Sequence, residues 1–381
     1  MKLKRRFLLF ILYPAFLSCL LPAAIYIYKH PAYNFDMLGY MALVLRMDQN
    51  NSIEEIHDET YSIASQKVPV GEYKKLTETP AYRKKFETNP AEFKKILPNY
   101  IVKPLYLWSC WLFYKSGIPL PTATVLSSIF SYLILGLFLF YWFTRHLPIL
   151  IAFLGALLIM LSTFVTAVAR LSTPDLLSAL LLLAAFYFIL EKRNLALMSL
   201  FFLLSVLARV DNIITCFFIV SFLTFFEKWK RISIKQYLLI IILLAIAYVF
   251  IVLPVRQFGW TIFYYSQYAK HIDYSRDFDE PISVLSRLSL VYSKLVTAFV
   301  STHFTFFAFM GLLVLINKKI SLGNFSFDQS FLLVLVFVGV FKFLLLPDLS
   351  DRFYIGFYLT IIILLIRKFS LQFLLARNED R

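Results

Sequence analysis

Charged residues, glycine and cysteine are all scarce in this chain of 381 residues. Charged residues make up 16% of the sequence, against about 25% in an average soluble domain, which argues against a soluble protein. The three cysteines show neither paired spacing nor a CxxC motif, so the sequence supports neither a disulfide framework nor a zinc knuckle. These cysteines are Cys19, Cys110 and Cys216.

The glycine-dependent motifs of many soluble enzymes are missing as well. The chain contains no GxGxxG, no Walker A sequence and no GxSxG. Glycine-rich loops cradle nucleotide phosphates, and GxSxG exposes a nucleophilic serine on a sharp turn, so nucleotide-driven transport and serine hydrolysis have no support. His57 lies in an acidic run, Glu54–Glu59, that lacks HExxH spacing, which favours a solvated helix face over a metal site.

Hydrophobic residues are abundant instead, at 60% of the chain, and they come in long blocks. Runs of roughly 17–25 apolar residues recur from end to end, and each is long enough to cross a bilayer as a helix. Only helices or closed barrels satisfy backbone polar groups in lipid, and these runs do not alternate as barrel strands do. The sequence therefore predicts an all-α polytopic membrane protein.

The formal net charge of +15 would suggest a nucleic-acid partner in a soluble protein. In a membrane protein, Lys and Arg collect in the short cytoplasmic connections, which explains much of this excess. No RNA-binding motif accompanies the charge. We therefore expect membrane lipids, and no nucleic acid, as partners.

The apolar runs predict about ten transmembrane helices, with both termini in the cytoplasm. The first run extends beyond a signal-peptide core of roughly 7–15 residues, which favours a retained helix over a cleaved signal. One helix over 195–226 would place the basic connection 227–235 outside, so two short helices fit the charge rule better. The predicted spans are 7–28, 120–144, 148–168, 174–190, 195–209, 212–226, 236–255, 295–316, 330–346 and 353–369.

Two long outer loops interrupt this single transmembrane domain, which covers residues 1–381. The first loop, 30–119, contains helix-like stretches separated by prolines, and the second, 256–294, carries an aromatic cluster. Within the first loop, Met37–Arg46 is apolar enough to lie along the membrane surface as a helix. The stretch 104–114 is too short to span and suits the membrane interface.

Polar residues at the outer membrane edge are functional candidates, because they are costly near lipid unless they are paired or face water. Each also has a structural explanation, since Asp caps helices, Lys and Arg reach headgroups, and a lone His often only hydrogen-bonds within its helix. Both explanations stay open for Asp175, and headgroup contact is favoured for Lys342. The candidates are Asp36, Arg170, Asp175, Arg209, Asp211, His303, Lys342, Asp348, Asp351 and Arg352.

Several of these residues recur in short motifs beside the predicted spans. An acidic residue follows the first span within Tyr33–Tyr40 (YNFDMLGY), and the loop it opens ends in KPLY at 103–106. Farther along come RLSTPD at 170–175, ARVDN at 208–212 and DRFY at 351–354. Over nearly the whole chain this architecture resembles the GT-C superfamily of polyprenyl-phosphate-sugar-dependent glycosyltransferases, which includes protein O-mannosyltransferases and the lipid A aminoarabinose transferase.

The resemblance implies an enzyme that moves a sugar from a polyprenyl-phosphate donor to a lipid, glycan or protein acceptor. It implies an active site on the extracytoplasmic face of a bacterial plasma membrane, with Asp36 as the catalytic carboxylate acting on the acceptor hydroxyl. The acid is often paired with a second in the family and stands alone here, so a divalent metal stays open. The residues implied for donor phosphate binding are Lys103, Arg170, Arg209 and Arg352, and the further site candidates are Asp175, Asp211, His303 and Asp351.

Three other functions remain open at this stage, and one of them is a non-enzymatic assembly factor. A flippase or transporter for lipid-linked glycans would predict internal repeats and helices interrupted near the middle of the membrane. An O-antigen polymerase or ligase shares the lipid-linked substrate but usually carries its large loop late in the chain. Here the larger loop comes first, which favours the glycosyltransferase.

Overall fold

The computed structural model describes residues 2–49, 51–79, 82–226, 228, 230–255, 284–301, 303–316, 325–345, 348 and 350–379. This part of the chain is helical and contains no β-strand, as the sequence predicts. The first helices are α1 Lys2–Lys29, α2 Asp36–Asp48, α3 Ile53–Lys67, α4 Val70–Glu78, α5 Tyr82–Thr88, α6 Pro90–Ile96, α7 Pro98–Ile101, α8 Pro104–Lys115, α9 Leu120–Phe143 and α10 Ile149–Leu161. The later helices are α11 Thr163–Ala169, α12 Asp175–Tyr187, α13 Leu195–Ala208, α14 Asn212–Phe225, α15 Ile234–Val252, α16 Val284–Ser301, α17 Phe304–Leu315, α18 Phe327–Leu345 and α19 Asp351–Glu379.

Among the described residues, five helices are long and apolar enough to cross a membrane. Helices α10 and α11 form a sixth candidate, bent by 57° where they meet. The apolar helices α13, α14 and α17 are shorter than a bilayer crossing requires. The chain is thus a helical protein with five or six membrane-capable helices, and the count of ten stays a prediction. The five are Leu8–Lys29 of α1, all of α9, α15 and α18, and Asp351–Ser370 of α19.

Large apolar side chains cover the outward face of α15. Leu239, Ile242 and Phe250 are all more than half exposed, although none of them carries a polar atom in its side chain. A contiguous apolar face is unfavourable in water and favourable in a hydrocarbon core. This surface therefore supports a location in the membrane.

The connections match the sequence predictions in one place and differ in another. The stretch 195–226 forms two short helices, α13 and α14, which confirms the prediction. The predicted span 295–316 is wrong as one continuous helix, because α16 ends at Ser301 and α17 begins at Phe304. Residues 256–283, most of the predicted second outer loop, lie outside the described residues.

The first long loop folds into seven short helices, α2 to α8, around a hydrophobic cluster of its own. Helix α2 lies at its centre, and Met37–Leu45 are all buried because α3, α7, α8 and α9 pack around them. The prediction that this helix lies along the membrane surface is therefore wrong. Prolines at the first position of α6, α7 and α8 begin these helices, where a missing backbone N–H costs nothing.

Helix α12 is the centre of the larger core and packs against α9, α13 and α19. Helix α19 crosses α12 in direct contact, with Gly356 facing Ala179. Asp175 and Arg352 each precede this contact by one helical turn. The close crossing therefore brings the first turns of α12 and α19 to the same end of the bundle.

Candidate functional site

Asp36, at the start of α2, is paired with Arg352, in the first turn of α19. The Nη1–H of Arg352 donates to Oδ2 of Asp36 across 2.9 Å. The hydroxyl of Tyr100 lies 3.4 Å from the other carboxylate oxygen, and its ring packs directly against Gly39, where a Cβ would clash. Neither carboxylate oxygen caps α2, so the capping explanation for Asp36 is wrong. The Asp36 side chain instead contacts Tyr100 of α7 and Arg352 of α19.

A second ionic network lies at the turn between α13 and α14. Arg209 bonds to Asp175 and, through Nε at 3.0 Å, to Asp211. Lys342 of α18 places its Nζ 2.7 Å from Oδ2 of Asp211. Asp175 is therefore engaged by an arginine and does not cap α12 through its side chain. A functional role for Asp175 stays a prediction.

Lys342 corrects one expectation from the sequence. Headgroup contact predicts an extended side chain at the surface, yet Lys342 is 5% exposed and pairs with Asp211. The sequence did not signal this, because the partner lies on a different helix, 131 positions away in the chain by the residue numbers. A buried lysine is costly unless it is paired, which makes it part of the network.

The two ionic pairs meet at the ring of Phe353. The guanidinium carbon of Arg209 lies 4.5 Å from the ring centroid and that of Arg352 lies 4.7 Å from it. The two guanidinium groups are therefore no farther apart than the sum of these distances. A narrow cleft with room for about one water molecule is lined here by Asp175, Ser178, Ala179, Leu182, Arg209, Asn212, Lys342, Arg352, Phe353, Ile355, Gly356 and Phe357.

Lys103 completes the arrangement, just before α8. Its Nζ lies over the rings of Tyr40 and Tyr100, at 5.3 Å and 5.4 Å from their centroids. No described carboxylate lies within ion-pairing distance of it. Burial lowers the pKa of Lys103 to about 8, although the charge of Asp36 acts in the opposite direction. We call Asp36, Lys103, Asp175, Arg209, Asp211, Lys342 and Arg352 the charge cluster.

The charge cluster keeps two of its carboxylates, Asp36 and Asp211, ionised. Burial acts to raise the pKa of Asp36, but Arg352 and Lys103 outweigh it and hold that pKa below its usual value. Burial likewise acts to raise the pKa of Asp211, and Arg209 with Lys342 lowers it far below the usual range. The cluster therefore places four basic side chains among three acidic ones, and the pKa of two of the acids, Asp36 and Asp211, is lowered.

Arg170 lies outside the charge cluster. Its Nε–H donates to the carbonyl oxygen of His30 across 2.7 Å, and its own carbonyl accepts from the N–H of Ala32. These bonds tie the start of the first loop to the segment before α12. Among the described contacts Arg170 meets none of the cluster residues, so its implied role in phosphate binding gains no support.

His303 and Asp351 form a separate pair beside the cluster. Nδ1 of His303 lies 2.7 Å from Oδ2 of Asp351, and the backbone N–H of His303 donates to the same carboxylate. Tyr358 adds a hydroxyl donor at 3.3 Å. The pair fastens the break before α17 to the first turn of α19. It lies next to Arg352 in the chain but makes no described contact with Asp36.

The described residues contain no group of three or more His, Cys, Asp or Glu side chains placed to hold a metal ion. Asp36, Asp175 and Asp211 are instead paired with Arg or Lys. Hard cations such as Mg²⁺ or Ca²⁺ need several oxygen ligands, so this donor set does not fit one. The carboxylates are arranged to face cations of the protein itself.

Aromatic residues surround the site, and sequence reasoning missed Tyr100 and Phe353 among them. Tyr40 lies one helical turn after Asp36, Tyr100 packs on Gly39, and Phe353 follows Arg352. The spacing of Tyr40 from Asp36 was a usable signal, because residues four apart share a helix face. No family model, curated protein or solved structure matches this chain, so the chemistry of the site has to be argued from its own geometry.

Proposed function

We propose that this protein is a glycosyltransferase of the GT-C type, which transfers a sugar from a polyprenyl-phosphate donor to an acceptor hydroxyl at the extracytoplasmic membrane face. One observation carries the proposal: Tyr100 contacts both Asp36 and Lys103, a cation that no described carboxylate pairs. An ionised carboxylate beside an available cation suits a reaction in which a phosphate leaves while a hydroxyl loses its proton.

The cations of the cluster suit the phosphate of the donor. Arg209 and Arg352 both line one narrow cleft, and a planar guanidinium binds phosphate oxygens bidentately. Lys103 adds a charge that is not already neutralised. These groups stabilise the negative charge that develops on the phosphate as it departs.

The reaction balances with these groups. The bond between the anomeric carbon and the phosphate oxygen breaks, and its electron pair leaves with the phosphate. The acceptor oxygen forms the new bond to that carbon, and its proton passes to Asp36. When the phosphate takes over Arg352, Asp36 loses the partner that lowers its pKa and becomes a stronger base.

An aromatic groove between α14 and α18 supports a lipid-linked donor. Its open space is about 1140 Å³, mouth included. Lys342 lies near the other end of α18, and Asp211 lies at the turn before the other end of α14. A lipid tail in the groove could therefore extend along these two helices from a headgroup in the charge cluster. The groove is lined by Phe218, Ser221, Phe222, Phe225, Phe226, Lys228, Phe325, Ser330, Leu333, Val334 and Phe337.

The test is sugar transfer in proteoliposomes that contain the purified full chain. Polyprenyl phosphates that carry radiolabelled hexoses or pentoses are supplied with membranes of the source cells as the acceptor. A glycosyltransferase releases free polyprenyl phosphate and moves the label to a product that lacks the carrier. A flippase moves the lipid across the bilayer and leaves the sugar–phosphate bond intact, and that result would contradict the proposal.

A further inference from the structure

The start of the first loop and the segment before α12 lie side by side. The backbone N–H of Ala32 donates to the carbonyl oxygen of Arg170 across 2.9 Å. Two residues farther along, the N–H of Ser172 donates to Oδ1 of Asn34 at 3.1 Å. These bonds place residues 34–40, which include Asp36, against residues 172–175, which include Asp175.

Polar atoms without a hydrogen-bond partner among the described residues collect on these two segments. They are the Tyr40 hydroxyl, the Thr173 hydroxyl, Oδ2 of Asp175 and Nδ2 of Asn34. Tyr40, Thr173 and Asp175 are 0%, 2% and 3% exposed. Burying a polar atom without a partner costs folding free energy, so several in one place indicate that something else binds them.

Tyr40 borders the charge cluster, because Nζ of Lys103 lies 5.3 Å from the centroid of its ring. Burial raises the pKa of Tyr40 well above its usual value, and the negative charges of Asp36 and Asp175 raise it further. Thr173 is two residues before Asp175, and Asp175 lines the cleft that also contains Arg352. Tyr40 and Asp175 therefore adjoin the proposed phosphate site, and Asn34 and Thr173 each lie two residues before an acid of the cluster.

Their chemistry selects the ligand. Two hydroxyls, an amide N–H group and a carboxylate oxygen offer donors and acceptors together, which suits sugar hydroxyls because each both donates and accepts. A second phosphate would be repelled by Asp175. The Tyr40 and Tyr100 rings, with centroids 5.1 Å apart, add an apolar wall for the C–H face of a sugar ring.

We propose that Asn34, Tyr40, Thr173 and Asp175 form a subsite for a polyhydroxylated ring, the sugar of the donor. The subsite rests on the proposed function, because that function supplies a sugar next to the phosphate. It assigns the sugar to α2 and the segment before α12, and leaves the phosphate to the arginines and Lys103.

The test compares two ligands and two matched pairs of variants. Purified full chain is titrated with sugar-free polyprenyl phosphate and with a panel of hexosyl and pentosyl polyprenyl phosphates, and binding is followed by microscale thermophoresis. The site variants are Tyr40→Phe and Thr173→Val. The controls are Tyr61→Phe and Thr215→Val, which remove buried unpartnered hydroxyls from α3 and α14, outside the proposed subsite.

At least one sugar-bearing lipid should bind the wild type more tightly than the sugar-free lipid. Each site variant should bind that lipid roughly tenfold more weakly, the usual cost of one lost hydrogen bond, and should bind the sugar-free lipid with unchanged affinity. The control variants should bind both lipids as the wild type does. If Tyr40→Phe and Thr173→Val bind both lipids with wild-type affinity, ordered water satisfies these atoms. That result would overturn the subsite.

The outcomes also separate the two proposals. If the sugar adds no affinity in the wild type, the subsite is wrong, while a phosphate site can stand. If both lipids weaken equally in the site variants, these residues serve the phosphate or the fold, and the subsite is again wrong. If neither lipid binds the wild type, the proposed function and the subsite fall together. If sugar-lipids bind as described without any transfer, only the proposed function fails.

Discussion

Arg352 reaches Asp36 across 316 positions of the chain and donates a hydrogen bond of 2.9 Å to its carboxylate. The contact joins the first turn of the last helix to the start of the first loop. It holds the predicted catalytic carboxylate ionised, beside the only cation of the charge cluster without a described carboxylate partner, Lys103. A phosphate that competes for Arg352 would therefore change the basicity of Asp36 directly.

Replacing Asp36 by Asn should abolish most sugar transfer. The amide keeps the shape and can still bond to Tyr100, but it cannot accept a proton, so we expect the rate to fall by roughly 10²–10⁴. The matched control is Asp48→Asn at the other end of α2, where the carboxylate pairs with Lys115. Rates are compared in proteoliposomes at equal amounts of folded protein. Full transfer by Asp36→Asn would remove this residue from the mechanism.

Substituting Lys for Arg209 or Arg352 should weaken donor binding although the positive charge is retained. Lysine keeps the positive charge but loses the planar fork that binds phosphate bidentately. Each Lys variant should therefore have a raised donor KM, between that of the wild type and that of the Ala variant at the same position. Arg145→Lys, just after the C-terminal end of α9, serves as the control. If Lys restores wild-type KM at both positions, bidentate recognition is excluded.

Donor binding should weaken as the pH rises through about 8, because the pKa of Lys103 is lowered to that value by burial. The ammonium is present below this pH and is lost above it, so the attraction for phosphate is lost in the same direction. Lys103→Arg should abolish the pH dependence, since arginine stays protonated throughout. The donor Kd is measured from pH 6.5 to 9.5, in steps of about half a unit around the expected pKa. An unchanged pH profile in Lys103→Arg would assign the titration to another group.

Labelling should place α3 outside the cell and the connection before α15 inside it. The positive-inside rule assigns the basic stretch 227–235 to the cytoplasm and the long loop to the other face. Ser65→Cys and Ser233→Cys, both at exposed positions, are introduced into a Cys19→Ser background, because Cys19 is the exposed native cysteine. A membrane-impermeant maleimide on intact cells should label position 65 alone. Labelling of position 233 would reverse the topology.

Composition and periodicity were enough for the helical class and for the short-helix character of the first loop. They also predicted the break between α13 and α14, because a single helix over 195–226 contradicts the charge of the connection that follows. The interruption between α16 and α17 was not predicted, since Ser301–His303 carries no proline or glycine to mark a break. The local sequence pattern thus predicted the helical class, the short helices of the first loop and the break between α13 and α14, because each depends on residues that are close together in the chain.

The sequence by itself also singled out Asp36, Arg209 and Arg352, because charged residues at the edge of apolar runs are costly unless they have a partner. Only the tertiary structure decided which partners they have. The close crossing at Gly356 aligns the first turns of α12 and α19, and packing around α2 buries it instead of laying it on the membrane. Lys342 joins the site for the same reason: its partner is brought near by helix packing, which no spacing along the chain encodes.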